Sequence, residues 1–260
     1  MAELFDKSNT QTNDTHSRNK TIFIWIDILG FADSIDKEDD TNNGSVAQTL
    51  ETFISAFSPP DGSLYTSTQI SDGIIIALTE EAIEMNSNPS SEIRELWAEI
   101  GKRQLDFILK NNTFLRGGIA LGKLHGGDKN KYILSNGLAR AHKIESSCIS
   151  WPIVGTNEQQ LENLREAIRC NDNEEIFGLA KSFNAKGGSI YFIDFLGHIE
   201  SHSYECQKLL VAIIEGLKKF KGEPKVQAKY VWLLRYYQSK FDCTKKELKE
   251  LPYFFDGAVL

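Results

Sequence analysis

The sequence predicts an α+β protein. Its core follows the split βαββαβ order of a ferredoxin-like fold, an antiparallel-rich sheet with helices on one face, and a C-terminal helical elaboration follows. Three observations carry this expectation. The abrupt β-branched and aromatic run Thr21-Ile-Phe-Ile-Trp-Ile-Asp-Ile-Leu29 reads as a central strand buried on both faces. Two further strand-like runs, residues 64–70 and 74–78, flank Ser71-Asp72-Gly73, the pattern of a hairpin whose Asp-Gly supplies positive φ angles. From residue 90 to residue 155 helical and extended periods alternate, and beyond 156 helical spacing dominates.

Each element has its own signal. Residues 1–20 are almost wholly polar and read as a flexible leader. Gly30 ends the first strand, residues 36–45 form a polar loop, and helical spacing runs from Val46 to Phe57 before the Pro59-Pro60 stop. The strongest helix is 90–111, with Ile93, Leu96, Trp97, Ile100, Leu105, Ile108 and Leu109 on one face. A strand with two adjacent glycines (114–121), a helix (134–145) and a short strand (151–154) complete a core of residues 21–155. Residues 156–260 are expected to be a mainly helical extension packed on the core or on a dimer partner. Its helices fall at 158–169, 173–183, 199–220 and 225–241, with one strand at 188–195.

The chain of 260 residues carries 29 Lys and Arg against 36 Asp and Glu, a formal charge of −7. That balance argues against a general nucleic-acid or anionic-membrane binder, which needs basic surface to release counterions. No run approaches the ~18 apolar residues of a membrane span. The opening residues lack the apolar stretch of a signal peptide. Cys148, Cys170, Cys206 and Cys243 are far apart, which fits reduced thiols and a cytoplasmic location.

Asp27 is the most informative residue. A bare carboxylate inside an apolar strand costs several kcal/mol unless it is paired or metal-bound, or unless it caps a turn amide at the strand's end. Gly30 follows closely, where the absence of Cβ lets a phosphate approach the main chain. Asp72 alone reads as a turn residue. Paired with Asp27 it means more, because a ferredoxin-like order sets the first strand beside the central hairpin. Two acids so placed can clamp divalent ions for phosphoryl transfer.

Gly117-x4-Gly122-Lys123 nearly spells a P-loop. Leu124 stands where a Ser or Thr belongs, and the glycines lie within a strand, so the P-loop is rejected. Arg116 reads as a strand-end salt bridge or a phosphate contact. On helix 134–145, Leu134, Leu138 and Ala141 form the core face. Asn136, Arg140 and Lys143 form a polar row that is either solvated or suited to an anion. His198, His202 and Cys206 recur every four residues on one expected helix, which cannot surround a tetrahedral ion. The aromatic series Tyr230, Trp232, Tyr236, Tyr237 and Phe241 reads as core or subunit contact.

Taken in order, Ile26-Asp-Ile-Leu-Gly-Phe31, Ser71-Asp72, Leu115-Arg-Gly-Gly-Ile-Ala-Leu-Gly122, Leu138-Ala-Arg-Ala-His-Lys-Ile-Glu145 and Trp151-Pro-Ile-Val154 resemble the class III nucleotidyl cyclases. With Tyr230-Val-Trp-Leu-Leu-Arg-Tyr-Tyr237, the closer likeness is to the pyrimidine cyclases of bacterial anti-phage Pycsar systems. The resemblance implies a class III cyclase core working as a head-to-tail homodimer with shared active sites. It implies two Mn²⁺ or Mg²⁺ ions on Asp27, Asp72 and the backbone carbonyl of Ile28. The product would be cyclic UMP made from UTP, which signals to a separate effector. Cyclic CMP from CTP, a purine cyclase and a catalytically silent nucleotide-binding module are the alternatives.

Family positions map further residues. The transition-state cation falls on Arg140 or Lys143, since the family's Asn and Arg align with Ala139 and Lys143 while Asn136 and Arg140 keep the spacing three residues earlier. The base-reading positions fall on Thr68, where purine cyclases carry a Lys or Glu, and on Tyr132. Gly30, Phe31 and Arg116 are the remaining nucleotide-contact candidates.

Overall fold

Alternation along the first strand organises the molecule. Ile22, Ile24, Ile26 and Ile28 join one buried cluster, whereas Phe23, Trp25 and Leu29 pack with a second on the opposite face. The structure is a computed structural model describing residues 20–31, 35, 44–79, 89–126, 133–168, 179–185 and 188–241. The expected leader, apart from Lys20, and residues 242–260 lie outside the described residues.

In chain order the elements are β1 (Lys20–Ile28), α1 (Gly44–Phe57), β2 (Tyr65–Ile70), β3 (Gly73–Thr79), α2 (Pro89–Asn111), β4 (Leu115–Gly126), β5 (Ile133–Ser135) and α3 (Asn136–Cys148). There follow β6 (Val154–Asn157), α4 (Glu158–Ile168), β7 (Leu179–Ala185), β8 (Gly188–Ile193), a 3-10 turn (Phe195–His198), α5 (Tyr204–Lys219) and α6 (Pro224–Lys240). The sheet runs β2-β3-β1-β4-β6-β8-β7, with β5 paired to β4. β1 is antiparallel to both β3 and β4, and β2 is antiparallel to β3. The fold class is therefore α+β, and its first four strands have the ferredoxin-like order.

The helices of that unit lie where the order places them. Phe53 and Phe57 of α1 and Ile93, Trp97 and Ile100 of α2 pack with the even-numbered β1 side chains. The opposite face is covered by α3, through Ala141 and Ile144, and by α5 and α6. Glycines bring α3 unusually close. A Cβ on Gly118 would lie 1.9 Å from the Ala141 carbonyl oxygen, and one on Gly122 would lie 2.2 Å from Gly137 N. Ser135 caps α3, accepting from the backbone N–H groups of Gly137 and Leu138.

Several sequence expectations are corrected. Part of the helix expected at 173–183 is a strand: β7 pairs antiparallel with β8, Leu179 opposite Ile193 and Lys181 opposite Tyr191. Its Leu, Ala and Lys favour helix locally, but an available strand edge overrides that preference. β6 forms at 154–157 rather than 151–154, parallel to β4, and α3 begins at Asn136 because residues 133–135 pair with β4. α5 starts at Tyr204, not 199, because His202 has φ +65° and Ser203 caps the helix through Cys206 N–H. His198, His202 and Cys206 therefore sit on a 3-10 turn, a connection and a helix rather than on one helix. The Tyr237 hydroxyl lies 2.8 Å from Cys206 Sγ in the interior. No described helix is long and apolar enough to cross a membrane.

Candidate functional site

Asp27 lies near the C-terminal end of β1, opposite Gly73 of β3 and Arg116 of β4. Strand alternation turns its side chain to the α3 face with Phe23 and Trp25. The hairpin between β2 and β3 spans Ser71 and Asp72, which places Asp72 beside this strand end. The positive φ, +56°, falls on Ser71 and not on the Asp-Gly pair. Gly73 serves a different purpose, since a Cβ there would meet the Trp25 ring at 2.7 Å.

Arg116 joins two acids. Its Nη2 contacts Glu145 Oε1 in an ion pair and lies 3.5 Å from Asp27 Oδ2. Glu145, on α3, is only 2% exposed, and its Oε1 meets Arg116 without hydrogen-bond geometry to any partner. Asp27 Oδ1 and Arg116 Nε are likewise buried without a hydrogen-bond partner. Burial raises the Asp27 carboxyl above the ordinary carboxylate range against the pull of Arg116, and Asp72 adds to the rise. Burial, then the Asp27 charge, push the Glu145 carboxyl up to about 7 although Arg116 opposes them.

The sign of this coupling gives a prediction. Glu145 binds its proton more tightly folded than unfolded, so stability of the metal-free protein falls as pH rises from 4.5 toward about 7. Urea midpoints taken across that window are expected to decline for the wild type and to decline less for Glu145→Gln. Parallel curves for the two proteins would dismiss this coupling.

The remaining sequence candidates separate. Ile28 ends β1, and Gly30 follows with φ +80° and no atom within 4 Å of a Cβ built on it. Phe31 is packed in the core, 8% exposed. Thr68 is exposed on β2, opposite Ile75. Tyr132 lies outside the described residues. The polar row of α3 divides: Asn136 Oδ1 accepts from Lys123 N–H at 2.9 Å, Arg140 donates to the Leu121 carbonyl at 3.1 Å, and Lys143 is exposed. Of the two readings of Arg116, the structure shows the salt bridge.

Glu145 stands in the sequence only as the end of the Leu138–Glu145 stretch, with no role of its own. Its signal was present, because Glu145 falls four residues after Ala141, on the helix face already identified as core. His142 packs against Trp25, with ring centroids 5.4 Å apart.

Chemically, the strand end offers two carboxylates in reach of one another, one of them with a buried free oxygen. That donor set suits a hard divalent cation, which takes oxygen ligands and a partial shell of water or phosphate. No cluster of three or more His, Cys, Asp or Glu able to hold a metal occurs among the described residues. Further ligands would have to come from backbone, water or substrate.

No family model matches the sequence, and no curated protein matches it. Similar solved structures include the guanylyl cyclase Cya2, at 14% identity and a TM-score of 0.45, covering 67% of this chain and 91% of that one. The adenylyl cyclase CyaB from P. aeruginosa is 10% identical with a TM-score of 0.43, covering 71% of this chain and 95% of that one. The guanylyl cyclase domain of the RhoGC fusion protein from the aquatic fungus Blastocladiella emersonii is 12% identical with a TM-score of 0.45, covering 68% and 96%. Likeness at this level assigns neither a substrate nor residue roles.

Proposed function

We propose that the protein is a nucleotidyl cyclase that converts a pyrimidine nucleoside triphosphate, UTP before CTP, into its 3′,5′-cyclic monophosphate and pyrophosphate. The observation that carries this reading is the convergence of Asp27 and Asp72 at one strand end, with Asp27 Oδ1 buried and unpartnered. Asp27, Asp72 and the Ile28 carbonyl would hold Mn²⁺ or Mg²⁺, which supplies charge neutralisation for the triphosphate and activation of its 3′-oxygen. That oxygen gives up its proton to solvent and attacks the α-phosphorus, the bond from the α-phosphorus to the bridging oxygen breaks, and pyrophosphate leaves with that oxygen. Little else is needed beyond positioning and charge.

The chain's own residues supply the positioning. Gly30, with no side chain of its own, lets phosphate approach the backbone after β1. By the resemblance Thr68 and Tyr132 are the base-reading positions, and Thr68 in place of a purine-type Lys or Glu is compatible with a pyrimidine. Arg140 and Lys143 lie exposed on α3, available to the active site of a second copy, where either can bear on the developing phosphate charge. The protein then acts as a cytoplasmic homodimer, and its product serves as an anti-phage signal to a separate effector. Neither nucleic acid nor membrane is a partner.

The test is incubation with Mn²⁺ and each of ATP, GTP, CTP and UTP separately, with products identified by mass spectrometry. Cyclic UMP or cyclic CMP is expected. A cyclic purine would overturn the base assignment, and no product despite nucleotide binding would leave a silent module. Shared sites have their own check: mixing Asp27→Ala with the Arg140→Ala, Lys143→Ala double variant should restore part of the activity that each lacks. Full turnover by a strictly monomeric preparation would defeat the shared-site arrangement.

A further inference from the structure

We propose that Glu145 is a positioning residue that draws the Arg116 guanidinium off Asp27, and that Arg116 competes with the divalent cation for the Asp27 carboxylate. The proposal rests on the reading of Asp27 as a metal ligand and adds the device that keeps it available.

The geometry is a stand-off between two acids for one nitrogen. Arg116 Nη2 is in contact with Glu145 Oε1 as an ion pair, and it donates only a long hydrogen bond, 3.5 Å, to Asp27 Oδ2. A settled guanidinium–carboxylate pair closes to about 2.7–2.9 Å, commonly through two parallel bonds. Here Asp27 Oδ1 and Arg116 Nε both lack a hydrogen-bond partner, so that second bond is not made. Arg116 and Asp27 are Cα partners across β1 and β4, which leaves the guanidinium permanently in reach of the acid. Only a stronger claim on it elsewhere keeps Asp27 open.

Glu145 makes that claim from a fixed place. Gly118 lets the α3 backbone lie against β4, so close that a Cβ there would come within 2.9 Å of Glu145 N. The carboxylate is nearly buried, with its side chain 3% exposed, and Arg116 is the cation set against it. If Glu145 is made neutral, Arg116 has Asp27 as its remaining acid partner and settles there. If Arg116 is removed, its guanidinium no longer competes with the cation at Asp27.

The two single substitutions therefore have opposite expected effects, a pattern that the loss of a merely structural ion pair does not produce. The probe is Mn²⁺ alone, titrated into the full chain without nucleotide, the free ion being read by its electron paramagnetic resonance signal. Glu145→Gln is expected to weaken Mn²⁺ binding about tenfold, the lower range for residues that orient metal ligands. Arg116→Met is expected to tighten it, and the double variant to recover the affinity lost in Glu145→Gln. Weaker binding in both single variants, or no change in either, would overturn the proposal. Should Glu145→Gln fail to fold by circular dichroism, the Arg116→Met arm decides, and unchanged or weaker binding there overturns it. Asp27→Ala separates the underlying reading: Mn²⁺ affinity indifferent to that change would remove Asp27 as a ligand, and the proposal with it.

Discussion

Asp72→Ala is expected to lower formation of the cyclic nucleotide by about 10²–10³-fold, the range seen when one preorganised electrostatic contact to a transition state is removed. Its thermal transition should hardly move. Asp72 occupies the turn between β2 and β3, half-exposed and outside the strand ladder, so truncation leaves neither a core cavity nor an orphaned backbone group. The electrostatics sharpen the interpretation. Asp72 raises the Asp27 carboxyl through repulsion, so its removal favours ionised Asp27. A loss of turnover then cannot come from a neutralised neighbour and must reflect what the Asp72 carboxylate does itself. Initial rates by mass spectrometry beside a melting curve make the comparison, and activity within about threefold of wild type would exclude Asp72 from the chemistry.

Gly118→Ala is expected to give the largest stability loss. The added Cβ would stand 1.9 Å from the Ala141 carbonyl oxygen and 2.9 Å from Glu145 N, both backbone atoms of α3. No rotamer change relieves such a clash, so the helix must rise off β4. Overpacking of a tight interior contact typically costs about 1–3 kcal/mol and occasionally more. Because backbone must move here, a fall in Tm of roughly 10 °C is expected. The same displacement carries Glu145 away from Arg116, so activity should fall in the molecules that remain folded. Gly222→Ala is the matched control, since nothing lies within 4 Å of its Cβ position and its φ is not positive. A Gly118→Ala melting curve superimposable on that of Gly222→Ala would contradict the close approach of α3 to the sheet.

Much of the architecture was legible where one short-range rule sufficed. The run around Asp27 could only be a buried strand, and the 3.6-residue period of α2 identified a buried face that the structure shows at Ile93, Trp97, Ile100, Leu105 and Ile108. Asp27 and Asp72 could be singled out because an acid in an apolar strand and an acid in a hairpin turn are each conspicuous locally. Glu145 was not singled out. An acid on the core face of α3 looks like an error in helix phase until Arg116 is seen opposite it.

The reverse also occurred. Asp72-Gly73 looked like a turn needing a flexible glycine, yet the turn strains Ser71, and Gly73 is small because the Trp25 ring fills the space a Cβ would take. That requirement comes from a strand some fifty residues away, and no local pattern carries it.

Residue order and periodicity thus determined the strand and helix types, their βαββαβ succession along the chain and the two acids that stand out. Those properties depend on side-chain sequence within a turn or two of the chain. Three features were left to the tertiary structure: β7 joining the sheet edge, α3 covering the face opposite α1 and α2, and Arg116 being divided between Asp27 and Glu145. Each depends on which surfaces meet. That is decided by backbone pairing and by the close approach that Gly118 and Gly122 permit, interactions between segments far apart in sequence.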